Sequence, residues 1–309
     1  MNNNKLLTII YILSSMLILQ FFVFSTNPEQ YDKIYLEEVR EGYNIYALPI
    51  PDYMEFAGEP VPMEEFDIIE RFDRELLVNS YWQSQTMLFF KRANKWFPVI
   101  EPILESKGVP EDFKYLALIE SGFQNVVSPA GATGFWQILS STGRELDLEI
   151  NTEVDERYHV EKSTEAACDF LVDAYERFGS WTLAAAAYNM GRTALVRQLN
   201  NQKVDSYYDL MLNEETSRYI FRILAVKQIF SNPQEAGFNF RKKDLYDPLE
   251  YDIITVDSTI TDLPQFALDL GINYKILREY NPWLRRYSLT NKNNKSYEIK
   301  IPVDLLDES

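Results

Sequence analysis

Glu120 closes a run in which an acidic side chain has no ordinary place. In Pro110-Glu-Asp-Phe-Lys-Tyr-Leu-Ala-Leu-Ile-Glu120, residues Phe113, Leu116, Ala117 and Glu120 fall at i, i+3, i+4 and i+7, the spacing of one helix face. Tyr115 to Ile119 is apolar on every side, which calls for a buried helix. A carboxyl at the far end of such a helix is pushed toward its protonated form by desolvation and by the negative end of the helix dipole. Held protonated near neutral pH, it is a general acid. The alternative is a helix-terminal Glu that turns outward to water, the common fate of acidic residues.

Two further segments carry ligand-binding side chains. Ser128-Pro-Ala-Gly131-Ala-Thr-Gly134-Phe-Trp136-Gln137-Ile138 joins a small-residue loop to a helix start, and small residues let backbone and ligand approach closely. Gln137 offers amide donors and acceptors and Trp136 a flat face, both suited to sugar hydroxyls and acetamido groups. The same loop would equally serve to pack a helix against its neighbour, with Trp136 in the core. Ala184-Ala-Ala-Ala-Tyr188-Asn189-Met190-Gly191 is a close-packing alanine helix with a polar pair before a glycine stop. Asn189 is either a ligand contact or a cap for that helix end.

The scarce residues exclude much other chemistry. With one His, His159, and one Cys, Cys168, the chain has neither the three or four ligands of a zinc site nor a partner for an intrachain disulfide. There is no Gly-x-Ser-x-Gly elbow and no phosphate-binding glycine loop, so neither a serine triad nor nucleotide chemistry is expected. Cys168, beside Ala166, Ala167 and Phe170, reads as a buried small hydrophobe. No metal and no organic cofactor are called for. The 30 basic and 47 acidic residues leave a net charge of −17, which argues against a nucleic-acid partner, because phosphate binding rests on a basic surface. Aromatics at 14% suit an aromatic-lined groove.

Helices must hold these segments. Apolar residues at three-and-four spacing predict them over 66–79, 85–107, 110–121, 134–146, 162–178, 181–190 and 214–230, with stops at Gly108, Gly122, Gly179, Gly191 and Pro233. Residues 62–235 thus form an all-α domain. The first 25 residues read as a targeting segment: Lys5 precedes 19 uncharged residues, Leu6 to Phe24. The run is longer than a usual signal core and lacks a clear small-x-small cleavage site, which favours an uncleaved membrane anchor over a removed signal peptide. With Lys5 on the short side, residues 26–309 lie outside the cytoplasm, on the extracytoplasmic side of the envelope. Residues 26–61, with four prolines, read as a linker lying over the next domain. Beyond Pro248, a β-branched strand over 251–256, short helices over 263–270 and 274–280 and a closing strand over 297–301 form a small α+β module at 245–305.

Together these segments resemble a known family. Glu120-Ser-Gly-Phe123, Ser128 with Gly131-Ala-x-Gly134-x-Trp136-Gln137, Ala187-Tyr188-Asn189-x-Gly191 and Glu215-Thr216-x-x-Tyr219 follow the order and spacing of the lytic murein transglycosylases of glycoside hydrolase family 23, soluble-lytic-transglycosylase type. Gly-x-Trp-Gln most resembles the membrane-bound type D branch. Phe135 departs from the usual Leu, and no lipid-attachment cysteine follows the first segment. The resemblance implies a lysozyme-like α-helical catalytic domain that cleaves the β-1,4 bond between N-acetylmuramic acid and N-acetylglucosamine in peptidoglycan. It implies that Glu120 is the single acid/base, giving a 1,6-anhydro end, and that Ser128, Gln137, Tyr188, Asn189 and Tyr219 line the substrate cleft. Ordinary glycosidases pair two carboxylates across the bond. The resemblance implies instead that the substrate's acetamido group serves as the internal nucleophile, so that no second carboxylate is expected from the matched segments. Rival readings are a non-catalytic peptidoglycan-binding protein and a hydrolytic muramidase. The C-terminal module resembles a degenerate LysM domain, through Tyr251-x-Ile253, Leu270-Gly-Ile272, Leu277-x-x-x-Asn281-Pro and Tyr297-x-Ile-x-Ile-Pro302, with Val256-Asp-Ser-Thr-Ile260 replacing the usual Gly-Asp-Thr-Leu turn. It implies either a glycan-strand partner or a packing module without ligand.

Overall fold

In the computed structural model, residues 47–303 are described. The targeting segment and most of the expected linker lie outside them. Among the described residues no helix is long and apolar enough to cross a membrane.

The chain enters through a small hairpin, β1 (Glu55–Phe56) and β2 (Glu59–Pro60). Residues 48–61, expected as a linker, carry this hairpin and place Met54, Phe56 and Val61 in the main core. Their apolar residues lack a regular period, so the sequence gives no signal of burial. Eight helices follow: α1 (Phe66–Tyr81), α2 (Gln83–Ser106), α3 (Phe113–Ser121), α4 (Ser140–Glu145), α5 (Val160–Phe178), α6 (Trp181–Met190), α7 (Arg192–Gln202) and α8 (Glu214–Ser231). The protein is mainly α, with a small α+β module behind. α8 is the central post, buried from Ile220 to Phe221 and from Ile223 to Val226. It packs on α1, α3 and α6. α3 and α6 supply the fully buried Leu116–Leu118 and Ala184–Ala187, small and aliphatic surfaces that permit close helix approach.

Three departures from the periodicity have local causes. Helix α3 begins at Phe113 and not at Pro110, because Phe113, Lys114 and Tyr115 bond back three residues, to the Pro110, Glu111 and Asp112 carbonyls; the Asp112 carboxylate meanwhile accepts from the Ala57 amide and from Lys227 Nζ, both at 2.7 Å. The helix expected over 134–146 is confined to Ser140–Glu145. Residues 133–138 form a tight turn instead, in which Thr133 and Ile138 exchange backbone hydrogen bonds and Gln137 takes φ +48°. Helix α7 was not expected, since Leu195 is its one buried residue and so narrow an apolar stripe gives little period to read.

Residues 236–250 cross α2. Phe238 and Phe240 pack on Phe90, and Asn94 Nδ2 donates to the Tyr246 carbonyl at 2.9 Å. The C-terminal module then pairs β3 (Tyr251–Val256) antiparallel with β4 (Tyr297–Pro302), in the register Tyr251↔Pro302 to Val256↔Tyr297. Between the strands lie α9 (Leu263–Asp269) and α10 (Tyr274–Tyr280). Asn281 is fully buried and ties helix to strand: Nδ2 donates to the Leu277 and Lys300 carbonyls at 3.0 and 2.7 Å, and Oδ1 accepts from Lys300 N at 2.8 Å. The module's core of Leu263, Leu277, Leu284, Leu289, Ile299 and Ile301 also contains Val154 and Tyr158 from the helical region. Glu153 reinforces that seam, accepting from Ser288 Oγ at 2.5 Å and Thr290 N at 2.9 Å, while its carbonyl accepts from Arg285 N at 2.6 Å.

Candidate active site

Glu120 sits at the C-terminal end of α3, and the chain leaves sharply after it. Gly122 adopts φ +60°, its N–H closing on the Leu118 carbonyl at 2.8 Å, and Ser121 Oγ donates to the Phe135 carbonyl at 2.8 Å. A Cβ at residue 122 would lie 3.0 Å from the Phe89 ring. The turn therefore needs glycine both for its left-handed backbone and for lack of room. This exit leaves the Glu120 side chain half-buried on the wall of a cleft of about 420 Å³, shared with Ser128, Gln137, Tyr188, Asn189 and Glu215.

The carboxyl is held from behind. Tyr219, buried on α8, donates its hydroxyl to Glu120 Oε1. Burial pushes the Glu120 pKa up to about 7; the Tyr219 hydrogen bond and the Arg222 charge oppose the rise, and Glu215 adds to it. Desolvation thus dominates, and the carboxyl exchanges its proton near neutral pH. The Tyr219 phenol is raised well above its ordinary range, by burial first and by Glu120, so it stays a donor. Tyr188 is raised likewise by burial and Glu120. Its hydroxyl donates to the Trp136 carbonyl at 2.7 Å, pinning the 134–138 turn to α6.

Each expected site residue has a definite place. Gln137 donates Nε2 to the Gly134 and Val126 carbonyls at 2.8 and 3.2 Å; two carbonyl neighbours fix the amide orientation and leave Oε1 as the acceptor for a ligand. Ser128 Oγ accepts from Ala132 N at 3.0 Å, which shapes the loop and keeps the hydroxyl proton for a ligand. Asn189 makes no side-chain hydrogen bond among the described residues. The helix end it precedes is already closed by Gly191 N–H to the Ala187 carbonyl at 2.9 Å, so the capping role is not needed. Tyr219 lies behind the carboxyl, not in the cleft wall. Trp136 is a correction: it is fully buried, its Nε1 donating to Thr164 Oγ1 at 2.8 Å, and it offers no face to a sugar.

A second carboxylate, Glu215, also lines the cleft, contrary to the expectation that one acid would stand alone. Its signal was present, because Glu215 and Tyr219 are one helical turn apart on the face that reaches Glu120. Cys168 is buried, its thiol pushed up to about 12 by desolvation, which makes it inert. No group of three or more His, Cys, Asp or Glu able to hold a metal occurs among the described residues.

Two family models match parts of the chain. Residues 98–211 match the family model of the Transglycosylase SLT domain, and residues 252–304 match the Soluble lytic transglycosylase C-terminal LysM-like domain. The chain is similar to the membrane-bound lytic murein transglycosylase D of Escherichia coli (strain K12), at 29% identity over 205 residues, covering 63% of this chain and 44% of that protein. It is also similar to a putative tributyltin chloride resistance protein of Alteromonas sp. (strain M-1), at 30% identity over 125 residues, covering 40% of this chain and 60% of the relative. The chain thus spans less than two thirds of the length of either relative. Among solved structures, the 70 kDa soluble lytic transglycosylase of Escherichia coli aligns with a TM-score of 0.38 at 20% identity, covering 47% of this chain and 26% of that one.

Proposed function

We propose that the protein is a peptidoglycan lytic transglycosylase with Glu120 as its acid and then its base. The observation that carries this reading is a carboxyl titrating near neutrality, gripped by a buried tyrosine, on the wall of a cleft that presents Gln137 Oε1, Asn189 and the Ser128 hydroxyl. Protonated Glu120 gives its proton to the glycosidic oxygen as the C1–O4 bond breaks, and the acetamido oxygen of muramic acid closes on C1. The Glu120 carboxylate then takes the proton of the C6 hydroxyl, and O6 displaces the acetamido oxygen from C1. The carboxyl ends as it began, and the product carries a 1,6-anhydro ring. A pure glycan binder has no use for a carboxyl kept at the expense of its own desolvation.

Glu215 favours weighing a second reading, hydrolysis by a carboxylate pair. Mass spectrometry of fragments released from purified peptidoglycan decides between them: the anhydro end is lighter by one water than a hydrolysed one. Anhydro masses support the proposal, hydrolysed masses favour the second reading, and absence of either supports a binding protein. The pH dependence follows from the direction of the shift. The acid must be protonated to start the reaction, and its pKa is raised to about 7, so kcat/KM is expected to fall by about tenfold per pH unit on the alkaline side of that value. A rate still flat two units above it would remove Glu120 from the acid role.

The polar contacts offered by Ser128, Gln137 and Asn189 suit the amides and hydroxyls of a glycan strand. The LysM-like domain would contribute to holding the same polymer. Export of residues 26–309 by the N-terminal apolar segment, retained as an anchor, would place the enzyme in the envelope beside that substrate.

A further inference from the structure

Helix α8 presents two overlapping stripes. Glu215, Tyr219 and Arg222, at i, i+4 and i+7, follow the side that reaches Glu120. Arg218 and Arg222, one turn apart, follow the side that reaches α1. There Glu75 is fully buried, and three guanidinium groups converge on it. Arg74 Nη1 and Arg218 Nε each lie 2.6 Å from Oε1, and Arg222 Nε lies 3.7 Å from Oε2, which itself makes no hydrogen bond. A carboxylate taken this far from water must be paired, but it is offered more positive charge than it needs. Arg222 is the loosest of the three and the one that belongs to both stripes.

We propose that Glu75 is a positioning residue for the reaction: it holds the Arg222 guanidinium on the α1 side of α8 and so keeps it from pairing with the Glu120 carboxylate. The inference rests on Glu120 being the acid and base. Arg74 and Arg218 have a second partner in Glu214, at 3.8 and 3.3 Å, so loss of Glu75 sets Arg222 free. Tyr219, one turn before Arg222 on α8, already touches Glu120, and an opposite charge brought within about 4–6 Å of a carboxyl lowers its pKa by about 1–3 units. The other groups bearing on Glu120 are the Tyr219 hydroxyl and the Glu215 carboxylate from α8 and the Tyr188 phenol from α6. None of them contacts Glu75. A reaction that begins with proton donation would then lose its donor at neutral pH although every cleft residue was intact.

The test is a carbon-13 NMR titration of the Glu120 carboxyl in the full chain, assigned by its absence in Glu120→Gln, beside the pH–rate profile. Glu75→Gln is expected to lower the titration midpoint by about one pH unit and to move the alkaline limb of the profile by the same amount. Adding Arg222→Gln in that background is expected to bring both back to the wild-type values or above. An unmoved midpoint, a rate lowered equally at every pH, or a shift that survives Arg222→Gln would each overturn the proposal. Should Glu75→Gln fail to fold, Glu75→Asp decides: the shorter carboxylate no longer reaches Arg222, so a lowered Glu120 midpoint supports the link and an unmoved one refutes it. A wild type releasing no anhydro product at any pH would overturn the reaction assigned to Glu120, while the NMR midpoints would still decide whether Glu75 governs Arg222.

Discussion

Glu120→Gln is expected to lower release of anhydro-ended fragments by at least about 10³-fold while leaving the fold intact. The amide keeps the volume of the side chain, and its oxygen still accepts the Tyr219 hydroxyl, so α3 and α8 lose no contact. It has no acidic proton to give. The stability of the same variant has a signature of its own. The folded carboxyl keeps its proton up to about 7, against 4.5 in the unfolded chain, so its contribution to stability is complete below about 4.5 and is lost as the pH rises through 7. The amide does not titrate. Relative to wild type, the variant gains stability across that window, on the order of 3 kcal/mol. Thermal unfolding at several pH values reads this directly, and a variant less stable at pH 8 than wild type would show that the carboxyl is not desolvated as described.

Gly134→Ala is expected to be the most damaging conservative change near the cleft. A Cβ there would stand 2.0 Å from the Arg157 carbonyl oxygen, on a backbone at φ +79°. That oxygen cannot retreat, because Arg157 is fixed by Asp155 through Nε at 2.9 Å and Nη2 at 2.7 Å, and by the Gly131 and Ile138 carbonyls at 3.1 and 3.2 Å. Backbone strain plus an immovable overlap amounts to about 3–4 kcal/mol, a fall of roughly 10 °C in Tm for a domain of this size. Gly131→Ala is the control. Its Cβ meets open space at φ +82°, so it pays strain alone, about 1 kcal/mol. Equal Tm values for the two variants would refute the packing argument.

The legible parts of the sequence were those with a strong period or a chemical oddity. Glu120 announced itself as a charge on an apolar stripe, α3 and α6 as runs too apolar to face water, and α8 through its three-and-four apolar spacing. What escaped had no such mark. Nothing in Gln137 declares a left-handed backbone, because that conformation belongs to the tight turn closed by the Thr133–Ile138 backbone exchange. Trp136 looked as fit for a sugar as for the core, and only the hydroxyl of Thr164, which gives its indole a buried partner, decides between them. Glu75 gave no signal at all, since its three arginines are split between a neighbour in sequence and a helix some 140 residues on.

The seam between the helical region and the C-terminal module concerns reach. A module on a slack tether searches a volume set by the tether's length and raises local concentration throughout it. Here the connecting residues are laid down along α2, and Val154 and Tyr158 are packed into the smaller core, so no such volume exists. If the proposed function holds, any polymer gripped by the module would be presented like a workpiece in a vise, at one angle and one offset from Glu120. Spacing along the polymer between grip and cut would then be set by the geometry of the protein, and chain length between the domains would be no free variable for tuning it.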